Sequence, residues 1–264
     1  MLPTTSLAGE LITIERRCFL DWMHALQNLP TNPYGVAIQD FGGATAILSP
    51  EAPLEVFNRV FQFSFDDLAY LPDILSFYQI RNAPLLFDLS PYTNYATDSS
   101  YPLPLILAQN GLCQAGFHQM LYGLPTINVP SPPPHIAIKV VTPDDANEFV
   151  AIFQEEKGND AIRVLLDHPH YQCFLAYVDA EPAALGVLHI ADGAASMANG
   201  ITRPAFRRRG CQTALLNHRI RAAAEAGCNI MVSQCVPGSV SQNNQLRVGF
   251  NIAGTKVWWV PQSP

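Results

Sequence analysis

One short segment carries the residue types that bind phosphate groups. Arg207-Arg208-Arg209-Gly210 comes directly before an apolar helical pattern that starts at Cys211. The start of a helix offers unpaired N–H groups and the positive end of the helix dipole, and both favour an anion. Arginine adds charge and a fork of donors, and glycine lets the backbone approach a phosphate closely. The segment therefore predicts an anion site, which suits a pyrophosphate better than a single carboxylate.

A run of arginines is also compatible with a solvated surface or a nucleic-acid patch. Six of the 15 basic residues fall between 203 and 221, but the whole chain has a formal net charge of −7. An acidic chain is a poor general binder of nucleic acid or anionic membranes. The order of strand, glycine-containing turn and helix favours a specific anion instead. The sequence contains neither Gly-Lys-Ser/Thr nor GxGxxG, the patterns of two common nucleotide-binding loops.

The cysteines and histidines give weaker signals. Six cysteines, none in a CxxC pair and several in apolar runs, predict reduced thiols. We interpret Cys211 as a loop residue and Cys235 as a small buried hydrophobe, and neither as a nucleophile. His168-Pro169-His170 has no third ligand at motif spacing, so we interpret it as a loop and expect no metal ion.

The C-terminal half alternates between strand and helix patterns. Strands are predicted over 136–141, 173–178, 183–190, 194–202, 229–235 and 255–260. Helices are predicted from 143 to about 156, over 211–226 and over 241–248. Antiparallel hairpins precede the helix at 211, which indicates a mixed α/β fold with a mostly antiparallel sheet and flanking helices.

The N-terminal half repeats part of this order. Prolines between 125 and 134 predict an extended connector, which divides the chain into domains 1–130 and 131–264. Before the connector, helices are predicted over 7–26, 72–81 and 103–110, and strands over 35–39, 44–48, 84–89 and 117–122. Both halves end in the order helix, strand, short helix and strand. We therefore predict a duplicated fold.

Residues from about 136 to 260 resemble the GNAT superfamily of acyl-CoA N-acyltransferases. The pyrophosphate loop of that family reads Arg/Gln-x-x-Gly-x-Gly/Ala, and Arg207 to Gln212 matches it except at Gln212, where a small residue is usual. Thr202 to Arg207 is similar to the approach to that loop. Pro237 to Asn244, followed by Gly249-Phe250, is similar to the last helix and its Gly-Phe turn.

The resemblance implies acetyl-CoA as co-substrate and direct attack of an amine on the thioester, with the charge that develops stabilised by N–H groups. It also implies that the backbone of Ile201 and Thr202 contacts the pantetheine arm. The amides from Arg208 to Thr213 would hold the pyrophosphate, and Asn244 would contact the cofactor near its arm. The implied cofactor-binding residues are Ile201, Thr202, Arg207, Arg208, Arg209, Gly210, Cys211, Gln212, Thr213 and Asn244.

Two groups that many relatives use for proton transfer are missing. The predicted last helix has no tyrosine to protonate the leaving thiolate, which leaves Ser241 as the candidate. The strand over 194–202 has no carboxylate, so the general base is unassigned. The alternative function is therefore a non-catalytic acyl-CoA-binding or sensing protein.

The N-terminal half resembles a degenerate copy of the same fold. Acidic residues in Ser64-Phe65-Asp66-Asp67 replace the Arg-x-x-Gly turn, so we expect no pyrophosphate there. We expect a small-molecule or peptide amine as acceptor, no nucleic-acid or membrane partner, and a chain compatible with a homodimer. No apolar stretch approaches the ~20 residues of a membrane span, and the N-terminus lacks a signal pattern, which predicts a cytoplasmic protein.

Overall fold

The computed structural model describes residues 4–51, 57–90 and 103–262. Its helices are α1 (Thr5–Gln27), α2 (Leu71–Gln79), α3 (Leu103–Gln109), α4 (Ala146–Lys157), α5 (Cys211–Glu225) and α6 (Val240–Arg247). Its strands are β1 (Ala37–Phe41), β2 (Ala44–Leu48), β3 (Arg59–Phe61), β4 (Leu86–Leu89), β5 (Leu112–Gly123), β6 (Ile136–Val140), β7 (Tyr171–Val178), β8 (Glu181–Ala191), β9 (Ala194–Thr202), β10 (Ile230–Cys235) and β11 (Asn251–Pro261). Short 3-10 helices lie at 65–70, 143–145, 161–165 and 204–206.

The described strands form one sheet in the order β1-β2-β3-β4-β11-β5-β10-β9-β8-β7-β6. Two neighbouring pairs, β3 with β4 and β9 with β10, run parallel. The other pairs are antiparallel, as hairpins and long-range pairings allow. The prediction of a mixed α/β fold with a mostly antiparallel sheet and flanking helices is confirmed.

The two halves exchange their last strands at the middle of the sheet. β11, the last strand of the chain, pairs with β4 of the N-terminal half. β5, the last strand of the N-terminal half, pairs with both β11 and β10. The hydrogen-bonded sheet is therefore continuous from one half to the other. The division of the chain near residue 130 stays a prediction.

The order of pairing is the same on both sides of this exchange. β1, β2 and β3 form an antiparallel run, and β4 then pairs parallel to β3. β7, β8 and β9 form a second antiparallel run, and β10 pairs parallel to β9. A helix lies between the two parallel strands in each half, α2 in the first and α5 in the second.

Most predicted elements agree with the structure to within a few residues, and the differences lie at the exchange. β5 begins at Leu112 and β11 at Asn251, both earlier than predicted, because Gly116 and Gly254 lie directly before the predicted starts and weaken the strand pattern there. β3 has no counterpart among the predicted strands, since three residues are too few to show a period.

The helices cover the two faces of the sheet. Side chains of α1 and α4 pack on one face with residues such as Leu185 and Ile201, and α5 packs on the other face with Ala195 and Met197. Ala195 and Met197 face α5 whereas Ile201 faces α1 and α4, because the register shift between residues 197 and 200 moves the alternation of β9 by one residue. Within the described ranges, no helix combines the length and the hydrophobicity that crossing a membrane requires.

Candidate functional site

A gap opens where β9 and β10 stop pairing. The parallel register runs from Ala194 opposite Ile230 to Ser196 opposite Val232 and ends there. Beyond this point β9 stays paired only with β8, and β10 only with β5. The two strand edges that face the gap therefore offer backbone N–H and C=O groups to a ligand.

A cavity of about 940 Å³ lies at this gap. It is large enough for an elongated cofactor. Its walls come from the ends of β9 and β10, the loop from 202 to 210, the start of α5, and α6. All the predicted site residues except Arg209 line it: Ile201, Thr202, Arg207, Arg208, Gly210, Cys211, Gln212, Thr213, Ser241 and Asn244.

The start of α5 is built to hold an anion. Gly210 caps the helix with φ at +91°, a left-handed conformation that glycine adopts without strain, and it provides no side-chain cap. In the described part of the chain, the N–H groups from Arg208 to Thr213 have no hydrogen-bond partner. Six donors around the positive end of one helix dipole favour a phosphate group.

The arginine side chains around this loop do not all face the cavity. Arg209 lies outside the cavity and pairs with Asp179, whose carboxylate is 2.5 Å from its guanidinium. Arg207 lies 3.6 Å from Glu156 and lines the cavity. Arg208 has no ion-pair partner among the described residues, so its charge is the most available to a ligand.

Several arginines between 203 and 221 make contacts within the protein instead of facing the cavity. Arg221 donates to the carbonyl oxygen of Val129, and Arg203 pairs with Glu155 at 2.8 Å. Arg219, on α5, is buried, although it forms part of the cavity wall. Counting all six arginines as ligand contacts would therefore overstate the charge available to an anion.

Arg219 holds a bulge in β9. Two residues of β9, Ala198 and Asn199, lie opposite the single residue Val187 of β8. The Arg219 guanidinium donates to the carbonyl oxygens of Val187 and Asn199, at 3.1 Å each. Burial lowers the pKa of Arg219 to about 10, which leaves it charged at neutral pH. No local pattern in the sequence indicates this role, because it depends on a bulge between distant residues.

Gln212, where relatives carry a small residue, reaches from the start of α5 to the end of β9. Its amide donates to the hydroxyl of Thr202 at 3.0 Å. A Cβ atom added at Gly200 would come within 3.1 Å of the Gln212 side chain. The side chain therefore lies over the end of β9, between the anion site and the gap.

Helix α6 brings Ser241, Asn244 and Gln245 to the opposite wall. The Gln245 amide donates to the Ser241 hydroxyl at 3.1 Å, which leaves the hydroxyl proton free to be donated elsewhere. The amide oxygen of Gln245, Oε1, is buried and has no hydrogen-bond partner among the described residues. Gln245 is absent from the residues that the sequence predicts, although its spacing of four from Ser241 places both on one helix face.

The cysteines near the cavity favour the protonated thiol over the nucleophilic thiolate. Burial raises the pKa of both Cys211 and Cys235. The Cys211 sulfur contacts the carbonyl oxygen of Phe206 at 3.8 Å, and Cys235 does not line the cavity. All six cysteines are unpaired, which agrees with the prediction of reduced thiols.

The corresponding turn of the N-terminal half is closed by its own carboxylate. Asp67 is buried, and its oxygens accept hydrogen bonds from the N–H groups of Gly43 at 2.7 Å and Ser64 at 2.9 Å. A Cβ atom at Gly42 would come within 2.6 Å of this carboxylate. A negative group in this position opposes a phosphate, and the absence of pyrophosphate binding by this half stays a prediction.

Comparisons with known proteins agree with this geometry. Residues 142–250 match the family model described as the acetyltransferase (GNAT) family. A GCN5-related N-acetyltransferase from Kribbella flavida aligns with a TM-score of 0.70 at 18% identity, over 94% of this chain and 95% of that one. A comparison with curated proteins gives no significant match.

A second solved structure covers both halves. It is a tandem GNAT protein from the clavulanic acid biosynthesis pathway, with a TM-score of 0.60 at 14% identity, over 100% of this chain and 98% of that one. At such identities the likeness shows the fold alone, whereas the family model identifies the C-terminal segment. This chain therefore contains, at residues 142–250, a domain of the acetyltransferase (GNAT) family, within a fold that it shares with a tandem GNAT protein.

Proposed function

We propose that the protein binds acetyl-CoA in the cavity at the end of β9 and transfers the acetyl group to an amine of a small molecule or peptide. The observation that carries the proposal is the run of free N–H groups from Arg208 to Thr213 at one end of a cavity that opens between diverging strands. The first feature suits a pyrophosphate, and the second suits a linear arm with amide groups.

In this proposal each wall of the cavity has a separate task. The loop and the start of α5 hold the pyrophosphate, and the free edge of β9 at Ile201 and Thr202 binds the pantetheine arm. Charge-assisted hydrogen bonds contribute about 1.5–3 kcal/mol each. A few of them account for micromolar binding, which corresponds to about 8 kcal/mol.

The acetyl transfer needs a free amine and a protonated leaving group. The amine nitrogen attacks the thioester carbon, the C–S bond breaks, the nitrogen releases one proton to a base or water, and the thiolate takes one proton. Ser241 is our candidate donor, since Gln245 donates to its oxygen and leaves its hydroxyl proton available. Glu156 is the carboxylate among the described cavity residues, but it faces Arg207 at 3.6 Å, so we leave the general base unassigned.

The alternative is an acyl-CoA-binding protein without catalysis, which the lack of a tyrosine on α6 favours. Calorimetric titration with acetyl-CoA, followed by a thiol-release assay against a panel of amines, separates the two. We expect binding together with thiol release that depends on the amine. Binding without release on any amine would favour the alternative, and competition by an oligonucleotide would favour a nucleic-acid site.

The pyrophosphate assignment has its own test at Gly210. We expect Gly210→Asp to abolish CoA binding, because the side chain places a negative charge where the phosphate is bound. Gly227→Asp is the matched control, since Gly227 also has a positive φ, +74°, but lies beyond the opposite end of α5. Unchanged affinity in Gly210→Asp, or equal loss in both variants, would contradict the assignment.

A further inference from the structure

Three potential metal ligands meet outside the cavity. Asp21 lies on α1, His170 lies just before β7, and His189 lies on β8. One carboxylate oxygen of Asp21 is 2.7 Å from Nδ1 of His170 and 2.8 Å from Nε2 of His189. The three ligand atoms all lie within 4.8 Å of one another. We propose that this cluster, the Asp21 site, binds a divalent transition-metal ion, with zinc as the expected ion.

The donor set selects the class of ion. Two imidazole nitrogens and one carboxylate oxygen suit zinc and its neighbours, whereas magnesium and calcium prefer oxygen ligands alone. Tetrahedral zinc holds its ligand atoms about 3.3 Å apart, so the hydrogen-bonded atoms must separate by about 0.5 Å. The His170 ring is 36% exposed and precedes a strand, so it can move and leave the fourth position to water.

The groups around the Asp21 site determine the affinity that we expect for the metal ion. Arg17 contacts the other carboxylate oxygen of Asp21 at 3.2 Å and orients the group. Nδ1 of His189 is buried and has no partner among the described residues. Zinc-binding histidines usually donate this second N–H to an acceptor, and its absence weakens binding. We therefore expect affinity in the micromolar rather than the nanomolar range.

The Asp21 site is separate from the acyl-CoA cavity. None of its three residues lines the cavity. His189 pairs across the sheet with Ser196 of β9, the residue before Met197, which lines the inner end of the cavity, whereas the anion site at the start of α5 lies beyond the other end of β9. The metal would instead join α1, from the N-terminal half, to β7 and β8 of the C-terminal half. Its expected role is to stabilise the packing of α1.

Thermal unfolding of the full-length chain without a histidine tag tests this proposal. After chelator treatment and dialysis, zinc at about tenfold the dissociation constant should raise Tm by about 3–6 °C, with no comparable effect from magnesium. Asp21→Asn and His170→Ala should each abolish the shift. His24→Ala is the matched control, because it removes an exposed histidine from the same helix and should leave the shift intact.

Cobalt provides a readout that is independent of stability. Bound Co²⁺ should give a visible absorption band that disappears in His170→Ala and persists in His24→Ala. A zinc shift that persists in both Asp21→Asn and His170→Ala would overturn the proposal. The absence of any shift in the unmodified chain would also overturn it and would identify the cluster as a hydrogen-bonded triad.

Discussion

At the scale of single residues, the departure from the family pattern at Gln212 has a structural consequence. Its amide hydrogen bond to Thr202 places a side chain between the anion site and the strand edge that the pantetheine arm should use. An occupant of the gap must displace this side chain or pass beside it. In the proposed complex, the side chain of Gln212 therefore competes with the cofactor, whereas its backbone N–H group belongs to the anion site.

We expect Gln212→Ala to bind CoA about 2- to 12-fold more tightly. The reason is that CoA no longer has to break a hydrogen bond of about 0.5–1.5 kcal/mol. Gln212→Glu has almost the same shape but adds negative charge near the phosphates, so it should bind more weakly. Calorimetric titration of both variants measures the two effects. Weaker binding in Gln212→Ala would show instead that the amide contacts the cofactor.

At the scale of elements, the shape of β9 depends on a side chain from α5. The bulge would leave the carbonyl oxygens of Val187 and Asn199 without these hydrogen bonds if Arg219 were absent. Gly186 and Gly200 both fit close against this side chain, since added Cβ atoms would lie 3.1 Å and 3.5 Å from it. Helix α5 therefore carries the candidate anion site at its start and supports the neighbouring strand about two turns later.

We expect Arg219→Met to lower the free energy of unfolding by about 2–4 kcal/mol, because two buried carbonyl oxygens lose a charged donor. Arg219→Lys should recover only part of this loss, since a single ammonium group does not have the fork of a guanidinium. Arg221→Met, on the same helix, is the control and should cost much less. Urea denaturation measures all three, and equal losses at 219 and 221 would contradict the assigned role.

At the scale of the whole molecule, a buried charge cluster accompanies the strand exchange. Lys256 of β11 contacts Glu15 of α1 at 2.6 Å and Asp88 of β4 at 2.7 Å. Arg59 of β3 lies 3.2 Å from the same Asp88 carboxylate, which balances two positive charges with two negative ones. The last strand of the chain is therefore bound to the N-terminal half by charge as well as by backbone pairing.

We expect Lys256→Met to destabilise the fold by about 3–5 kcal/mol, because removing one partner leaves buried charge without compensation. The double variant Glu15→Gln with Lys256→Met should lose less than the sum of the single variants. Thermal or urea unfolding of the three variants tests this coupling. Strict additivity would show that the charges do not interact.

The same cluster predicts how stability depends on pH. Burial alone would raise the pKa of Asp88, but Lys256 and Arg59 outweigh it and lower that pKa below its usual value. The ionised group therefore stabilises the fold above the unfolded pKa of about 3.9, and this contribution is lost as the pH falls below that value. Acid unfolding of Asp88→Asn should be less steep in this range than that of the unmodified chain.

The sequence by itself determined the local structure around the candidate anion site. Helix and strand periods extend over neighbouring residues, so the bounds of β9, the start of α5 and the glycine turn between them follow from short-range patterns. The same locality explains why an anion site could be predicted from the residues Arg207 to Thr213 without any knowledge of the rest of the fold.

Only the tertiary structure decided which segments that are distant in sequence contact each other. The exchange of β5 and β11, the support of β9 by Arg219 and the meeting of Asp21 with His170 and His189 join residues that no sequence spacing relates. His168-Pro169-His170 shows no third ligand in the sequence, because the other two groups come from α1 and β8. Such contacts depend on which strands pair and which helices cover them, and packing over the whole chain decides that rather than any local period.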